Sequence, residues 1–111
     1  MKVDIISLFP EMFLGPLNES ILKRAQNRGL LDLSIHNLRD FTKDRHRVVD
    51  DRPFGGGPGM VLKYEPIKKA ILSLKNRGKV IYLTPQGKPL NQKRLKSLSN
   101  LDNLTILCGR Y

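Results

Sequence analysis

The sequence predicts an α/β fold, a mostly parallel sheet with helices on both faces, and three observations point there. Short runs rich in Val, Ile and Leu alternate along the chain with segments whose apolar residues recur at helical spacing. Strands that alternate with helices assemble into a parallel sheet, because each helix returns the chain across the sheet by a right-handed crossover. The length of 111 residues suits one domain with four or five strands and a few helices.

Lys2 to Leu8 reads as a strand that ends at Phe9-Pro10, where the proline fixes the exit. From Leu17 to Arg28, Leu17, Ile21, Leu22 and Ala25 share one helical face, and Gly29 stands where a left-handed cap belongs. Leu31, Leu33 and Ile35 alternate with Asp32, Ser34 and His36, the period of a strand with one polar face. Residues 39–59 hold five basic and four acidic side chains and then a Gly/Pro cluster without either periodicity, which predicts a long loop. Between Tyr64 and Asn76, Ile67, Ala70, Ile71 and Leu74 form a helical stripe, with Gly78 as its stop. Lys79 to Leu83 is a short strand, Asn91 can cap a helix presenting Leu95 and Leu98, and Leu104 to Leu107 is a further buried strand.

Hydrophobic residues at 40% and charged residues at 27% are ordinary for a folded protein. Twenty Lys and Arg against ten Asp and Glu give a net charge of +10, which favours a polyanionic partner, nucleic acid first; a merely basic surface is the alternative. No run approaches the ~18 apolar residues of a membrane helix, Trp is absent, and Asp4 interrupts the apolar N-terminus. No membrane partner is therefore expected, and the cytoplasm is the expected compartment. The single cysteine, Cys108, excludes an intrachain disulfide and a Cys-based zinc site; His36 and His46 come with no third ligand marked by spacing, so no metal is expected.

In a parallel sheet, ligands bind beyond the carboxyl ends of the strands. Three segments matter there. Tyr82-Leu83-Thr84-Pro85-Gln86-Gly87 breaks a strand into a turn whose backbone can meet a flat polar ligand such as adenine, or can simply lead into the next helix. Leu107-Cys108-Gly109-Arg110-Tyr111 ends a strand in small residues, and Gly109 allows close approach to the backbone; Cys108 reads as a structural thiol. In Arg39 to Met60, Arg and Lys can hold phosphates while Phe54 or His46 stacks on an unpaired base, unless Asp40, Asp44, Asp50 and Asp51 pair with the arginines in a solvated loop. Gly55 to Gly59 is not an ATP-binding loop, since Met60-Val61 follows instead of Lys-Ser/Thr.

Taken in order, Ile5-Ile6-Ser7-Leu8-Phe9-Pro10-Glu11-Met12-Phe13, Arg39-Asp40-Phe41, Asp44-Arg45-His46, Val49 through Met60, Tyr82 through Gly87 and Cys108-Gly109-Arg110-Tyr111 carry a resemblance that spans the chain. The sequence resembles the bacterial tRNA (guanine-N1-)methyltransferases, of the SPOUT class of knotted enzymes. The resemblance implies methyl transfer from S-adenosyl-L-methionine to N1 of the guanosine 3′ of the anticodon, in a homodimer, with tRNA as partner. It implies that Tyr82, Leu83, Thr84 and Pro85 form the first donor-binding loop and that Gly109 and Tyr111 begin the second. Asp50, Arg45, His46, Phe54, Gly57 and Pro58 then fall to the RNA, with Asp50 positioning the substrate. Residues 1–111 correspond to the N-terminal part of the donor-binding domain, truncated before the trefoil knot is complete and without the C-terminal tRNA-binding domain. The general-base Asp is expected beyond Tyr111, so no catalytic residue is expected within this chain and the isolated chain is expected to be inactive. Phe54 stands where Tyr is often found and Thr84 where Ser is often found. A non-catalytic basic RNA-binding module is the alternative function.

Overall fold

The computed structural model describes residues 1–109. β1 (Lys2–Ser7) is followed by two short 3₁₀ turns, Pro10–Phe13 and Pro16–Asn18, and then by α1 (Ser20–Asn27) and β2 (Asp32–Asn37). A 3₁₀ turn at Leu38–Phe41 leads to two-residue strands β3 (Asp50–Asp51) and β4 (Val61–Leu62). α2 (Tyr64–Ser73), β5 (Lys79–Leu83), α3 (Gln92–Ser99) and β6 (Asn103–Cys108) complete the chain. β1, β2, β5 and β6 form one all-parallel sheet in the order β2-β1-β6-β5.

The pleat of β1 sorts the core into two layers. Ile6 and Leu8 join Leu107, Leu38, Val49 and Ala70 on one face, where Ile67 and Ile71 of α2 pack. Val3 and Ile5 join Leu104 on the other, covered by Leu98 of α3 together with Phe13, Leu17 and Leu31. Helices thus lie on both faces, because successive strand residues point to opposite sides and both sides are apolar.

Buried polar groups in the sheet are paired. Asp4, 2% exposed, lies 2.8 Å from His36 Nε2 on β2 and 4.0 Å from Lys2 Nζ. Thr105, fully buried, donates from Oγ1 to Arg77 O at 2.7 Å. A carboxylate or hydroxyl taken out of water keeps its place only with such partners.

Three details differ from the sequence expectation. α1 begins at Ser20, not Leu17, because Glu19 is extended (φ −124°, ψ 157°) and separates it from the turn opened by Pro16. The break resets the helical phase: Leu17 packs inward, while Ile21 is 73% exposed. α2 ends at Ser73, since Leu74 is already extended (ψ 126°), so Gly78 is not its cap. Gly78 instead adopts φ +57° in the turn before β5, where an added Cβ would lie 2.2 Å from Asn103 O. Third, the segment 39–59 is not a plain loop. β3 and β4 pair antiparallel, Asp50 with Leu62 and Asp51 with Val61, and Lys63 N donates to Val49 O at 2.7 Å above the buried Val49. Gly29, at φ +72°, does follow α1 as expected, and Asn91 Oδ1 does cap α3 by accepting from Arg94 N at 2.9 Å.

Candidate functional site

Since all four sheet strands run the same way, their carboxyl ends share one rim: Asn37, Ser7, Cys108 and Leu83 in spatial order. The rim therefore carries the start of the charged segment after β2, the turn after β5 and Gly109 after β6, the places where a parallel sheet offers backbone to ligands.

β5 and β6 are neighbours, with Tyr82 opposite Leu107 and Leu83 opposite Cys108. This register sets Gly109 against the Tyr82 ring so closely that a Cβ there would lie 2.8 Å from both Cε2 and Oη. After Leu83 the chain folds back in a turn closed by Gly87 N donating to Thr84 O at 3.1 Å. Tyr82 and Leu83 are about half exposed, at 48% and 55%. The structure thus brings together Tyr82, Leu83, Thr84, Pro85 and Gly109 from two strand ends. Tyr111 lies outside the described residues. Beside this turn a cavity of about 700 Å³ runs between β5 and α3, lined among others by Leu83, Thr84, Gly87, Lys88, Asn91 and Arg94. Sequence reasoning did not single out Lys88, Asn91 as a lining residue, or Arg94.

The charged segment divides into an arm and a tip. In the arm, Arg47 pairs with Asp40, Arg39 Nη1 donates to Arg47 O at 3.2 Å, and Arg47 Nε donates to Arg39 O at 3.3 Å. Asp44 accepts from Val48 N at 3.1 and 3.2 Å, and these bonds hold its carboxyl below the ordinary aspartate range. Arg45 and His46 are exposed and make no ion pair among the described residues. Asp50 sits half-buried at the hairpin base, and Phe54, Gly57 and Pro58 stand exposed at the tip. Of the acid–arginine pairing that the alternative reading required, the Asp40–Arg47 pair is present, Asp44 is engaged by backbone instead, and Arg45 and His46 face solvent. Among the described residues no group of three or more His, Cys, Asp and Glu is placed to hold a metal, and no helix is long and apolar enough to cross a membrane.

Burial pushes the Cys108 thiol up from its ordinary range. Because the raised value disfavours thiolate at neutral pH, native Cys108 should alkylate more slowly with iodoacetamide than the unfolded chain does, and its rate should rise at higher pH than for a free thiol. Equal rates in the folded and unfolded chain would show an accessible, activated thiol instead.

The sequence model of the family described as tRNA (Guanine-1)-methyltransferase TrmD matches residues 1–111, the whole chain. The chain belongs to this family. Among curated tRNA (guanine-N(1)-)-methyltransferases, that of Dictyoglomus turgidum is 54% identical over 112 aligned positions, covering 100% of this chain and 46% of the relative. That of Carboxydothermus hydrogenoformans is also 54% identical, with 44% of the relative covered. The chain therefore spans about half the length of these relatives. A crystal structure of tRNA (m1G37) methyltransferase from Aquifex aeolicus superposes with a TM-score of 0.88 at 34% identity, covering 99% of this chain and 51% of that one. The tRNA (Guanine-1)-methyltransferase family thus accounts for the parallel sheet and its order as well as for the motifs on its rim.

Proposed function

We propose that the polypeptide carrying these residues methylates N1 of the guanosine 3′ of the anticodon in tRNA, with S-adenosyl-L-methionine as donor. The observation that carries this reading is family membership along every residue of the chain, among relatives named for that reaction. The position in the tRNA follows the m1G37 enzyme of Aquifex aeolicus.

The residues on the rim fit the donor. Tyr82 and Leu83 offer exposed apolar surface, Thr84 and Pro85 shape the turn, and Gly109 leaves the Tyr82 ring in place where any side chain would displace it. Tyr111 joins this set by the family resemblance. S-adenosyl-L-methionine supplies a methyl group bound to a positively charged sulfur. Asp50, fixed at the base of the hairpin, positions the guanine; Arg45 and His46 reach the RNA from the arm, and Phe54, Gly57 and Pro58 from the tip. Transfer to a ring nitrogen depends on alignment and on removal of the N1 proton. This chain contributes alignment, and the base belongs to the Asp expected beyond Tyr111. The working enzyme is read as a cytoplasmic homodimer with the donor held in a trefoil knot, and this chain as the N-terminal part of its donor-binding domain.

The test is transfer of labelled methyl to tRNA transcripts bearing G or A 3′ of the anticodon. Incorporation confined to the G transcript, at N1, is expected. Donor turnover without label on N1 of that guanosine would overturn the reading.

A further inference from the structure

The net charge of +10 is not spread along the chain. Residues 66–101 hold nine Lys and Arg and no Asp or Glu, so the rest of the chain has eleven cations against ten acids and is close to neutral. The charged segment 39–59, with five cations and four acids, is part of that near-neutral remainder. The excess charge therefore lies on α2, β5, α3 and their connections.

The fold gathers four of these nine cations on one groove. Lys79 from β5, Lys88 from the turn, and Lys93 and Arg94 from the first turn of α3 all line the cavity of about 700 Å³, and no carboxylate does. None of the four is in an ion pair among the described residues. Holding like charges together without counter-charge costs stability, which is a reason to look for an anionic occupant. Tyr82, Leu83 and Thr84 of the donor turn line the same cavity, but S-adenosyl-L-methionine, with a sulfonium, an ammonium and one carboxylate, is net positive and leaves the four cations without counter-charge. A nucleic acid backbone, with one negative charge per phosphate, has the opposite character, and neutralising it releases condensed counterions.

We propose that the groove between β5 and α3 is a second RNA-contacting surface, on which Lys79, Lys88, Lys93 and Arg94 hold tRNA phosphates beside the donor turn. It rests on tRNA being the substrate, as in the reading above, and divides the labour of recognition. The groove supplies salt-sensitive affinity; the near-neutral hairpin supplies position. Phosphate contacts fix register without reading sequence, so the groove needs charge and spacing rather than shaped hydrogen-bond partners.

The experiment measures binding of a fluorescein-labelled anticodon stem-loop RNA to the full chain between about 50 and 200 mM salt. Three proteins are compared with the wild type: Lys88→Ala/Lys93→Ala/Arg94→Ala, the same three positions as Lys88→Arg/Lys93→Arg/Arg94→Lys, and Arg45→Ala in the arm. Each lost phosphate contact lowers the slope of log K against log salt by about 0.9 on duplex and about 0.7 on single strand, so the alanine triple should lose roughly 2–3 in slope. The charge-conserving triple should keep the wild-type slope, and Arg45→Ala should change it by no more than about 1. Thermal unfolding of the triple variants, whose side chains are exposed, checks that the fold is intact. An alanine triple that folds and keeps the wild-type slope overturns the proposal, as does a wild-type chain with no salt-dependent RNA binding. Failure of the methylation reading is separable: in the longer polypeptide that carries these residues, groove-dependent binding without label on N1 sinks the enzymatic assignment and leaves the groove standing, whereas methylation with an unaltered slope does the reverse.

Discussion

Gly78→Ala destabilises the fold by about 2–5 kcal/mol, from roughly 1–2 for a side chain in the left-handed region and roughly 1–3 for overpacking. Gly78 adopts φ +57°, and its Cβ would strike Asn103 O at 2.2 Å, Asn103 C at 2.7 Å and Asn103 Cβ at 2.8 Å. Two of the three atoms are backbone and cannot swing aside. The collision lies where β5 and β6 begin to pair, Lys79 opposite Leu104, so relief requires moving one strand against the other. A drop of roughly 10–30 °C in Tm is expected for a domain of this size. Gly29→Ala is the control, since Gly29 has a similar φ of +72° and nothing within 4 Å. It isolates the backbone term at about 1–2 kcal/mol. Equal losses at the two positions would show that Asn103 yields freely and that the contact does not fix the strand pair.

Gly109→Ala has the opposite profile. The atoms its Cβ would meet belong to the Tyr82 ring, which is half exposed and free to swing outward. Stability therefore changes little, while the ring leaves the surface assigned to the donor. A misplacement of about 1 Å at a reacting centre can cost about 100-fold in rate, and under the proposed function a loss of that order in methyl transfer by the longer polypeptide that carries these residues is expected, with weaker donor binding by calorimetry. Combining Gly109→Ala with Tyr82→Leu should add little to either single change, because both remove one contact. Unchanged transfer in Gly109→Ala would remove Gly109 and Tyr82 from the donor site.

What could be read from the sequence is what is written locally. The alternation in β2, the stripe Ile67-Ala70-Ile71 of α2 and the Asn91 cap each depend on neighbours a few residues away. The turn at Thr84 was legible for the same reason, as proline and glycine after an apolar strand. The phase of α1 was not, since one extended residue, Glu19, rotates every later side chain. Strands β3 and β4 are two residues each, too short to show a period. Insertion of β6 between β1 and β5 is a non-local fact with no local mark. The groove was missed because a lysine or arginine on a helix reads as a solvated face until the fold sets it beside others from another element.

The place of β6 also sets a timetable. β1 is paired on one side by β2, which follows within 37 residues, but on the other by β6, whose partner for Lys2 is Asn103. A two-stranded parallel pair is marginal alone, so the central sheet waits until residues 103–108 are synthesised. At about 5–20 residues per second, the two apolar faces of β1, that of Ile5 and that of Ile6, stay incompletely covered for on the order of 5–20 s on the ribosome. For that interval the nascent chain is a natural client for chaperones, and slowing translation before residue 103 should lower its soluble yield.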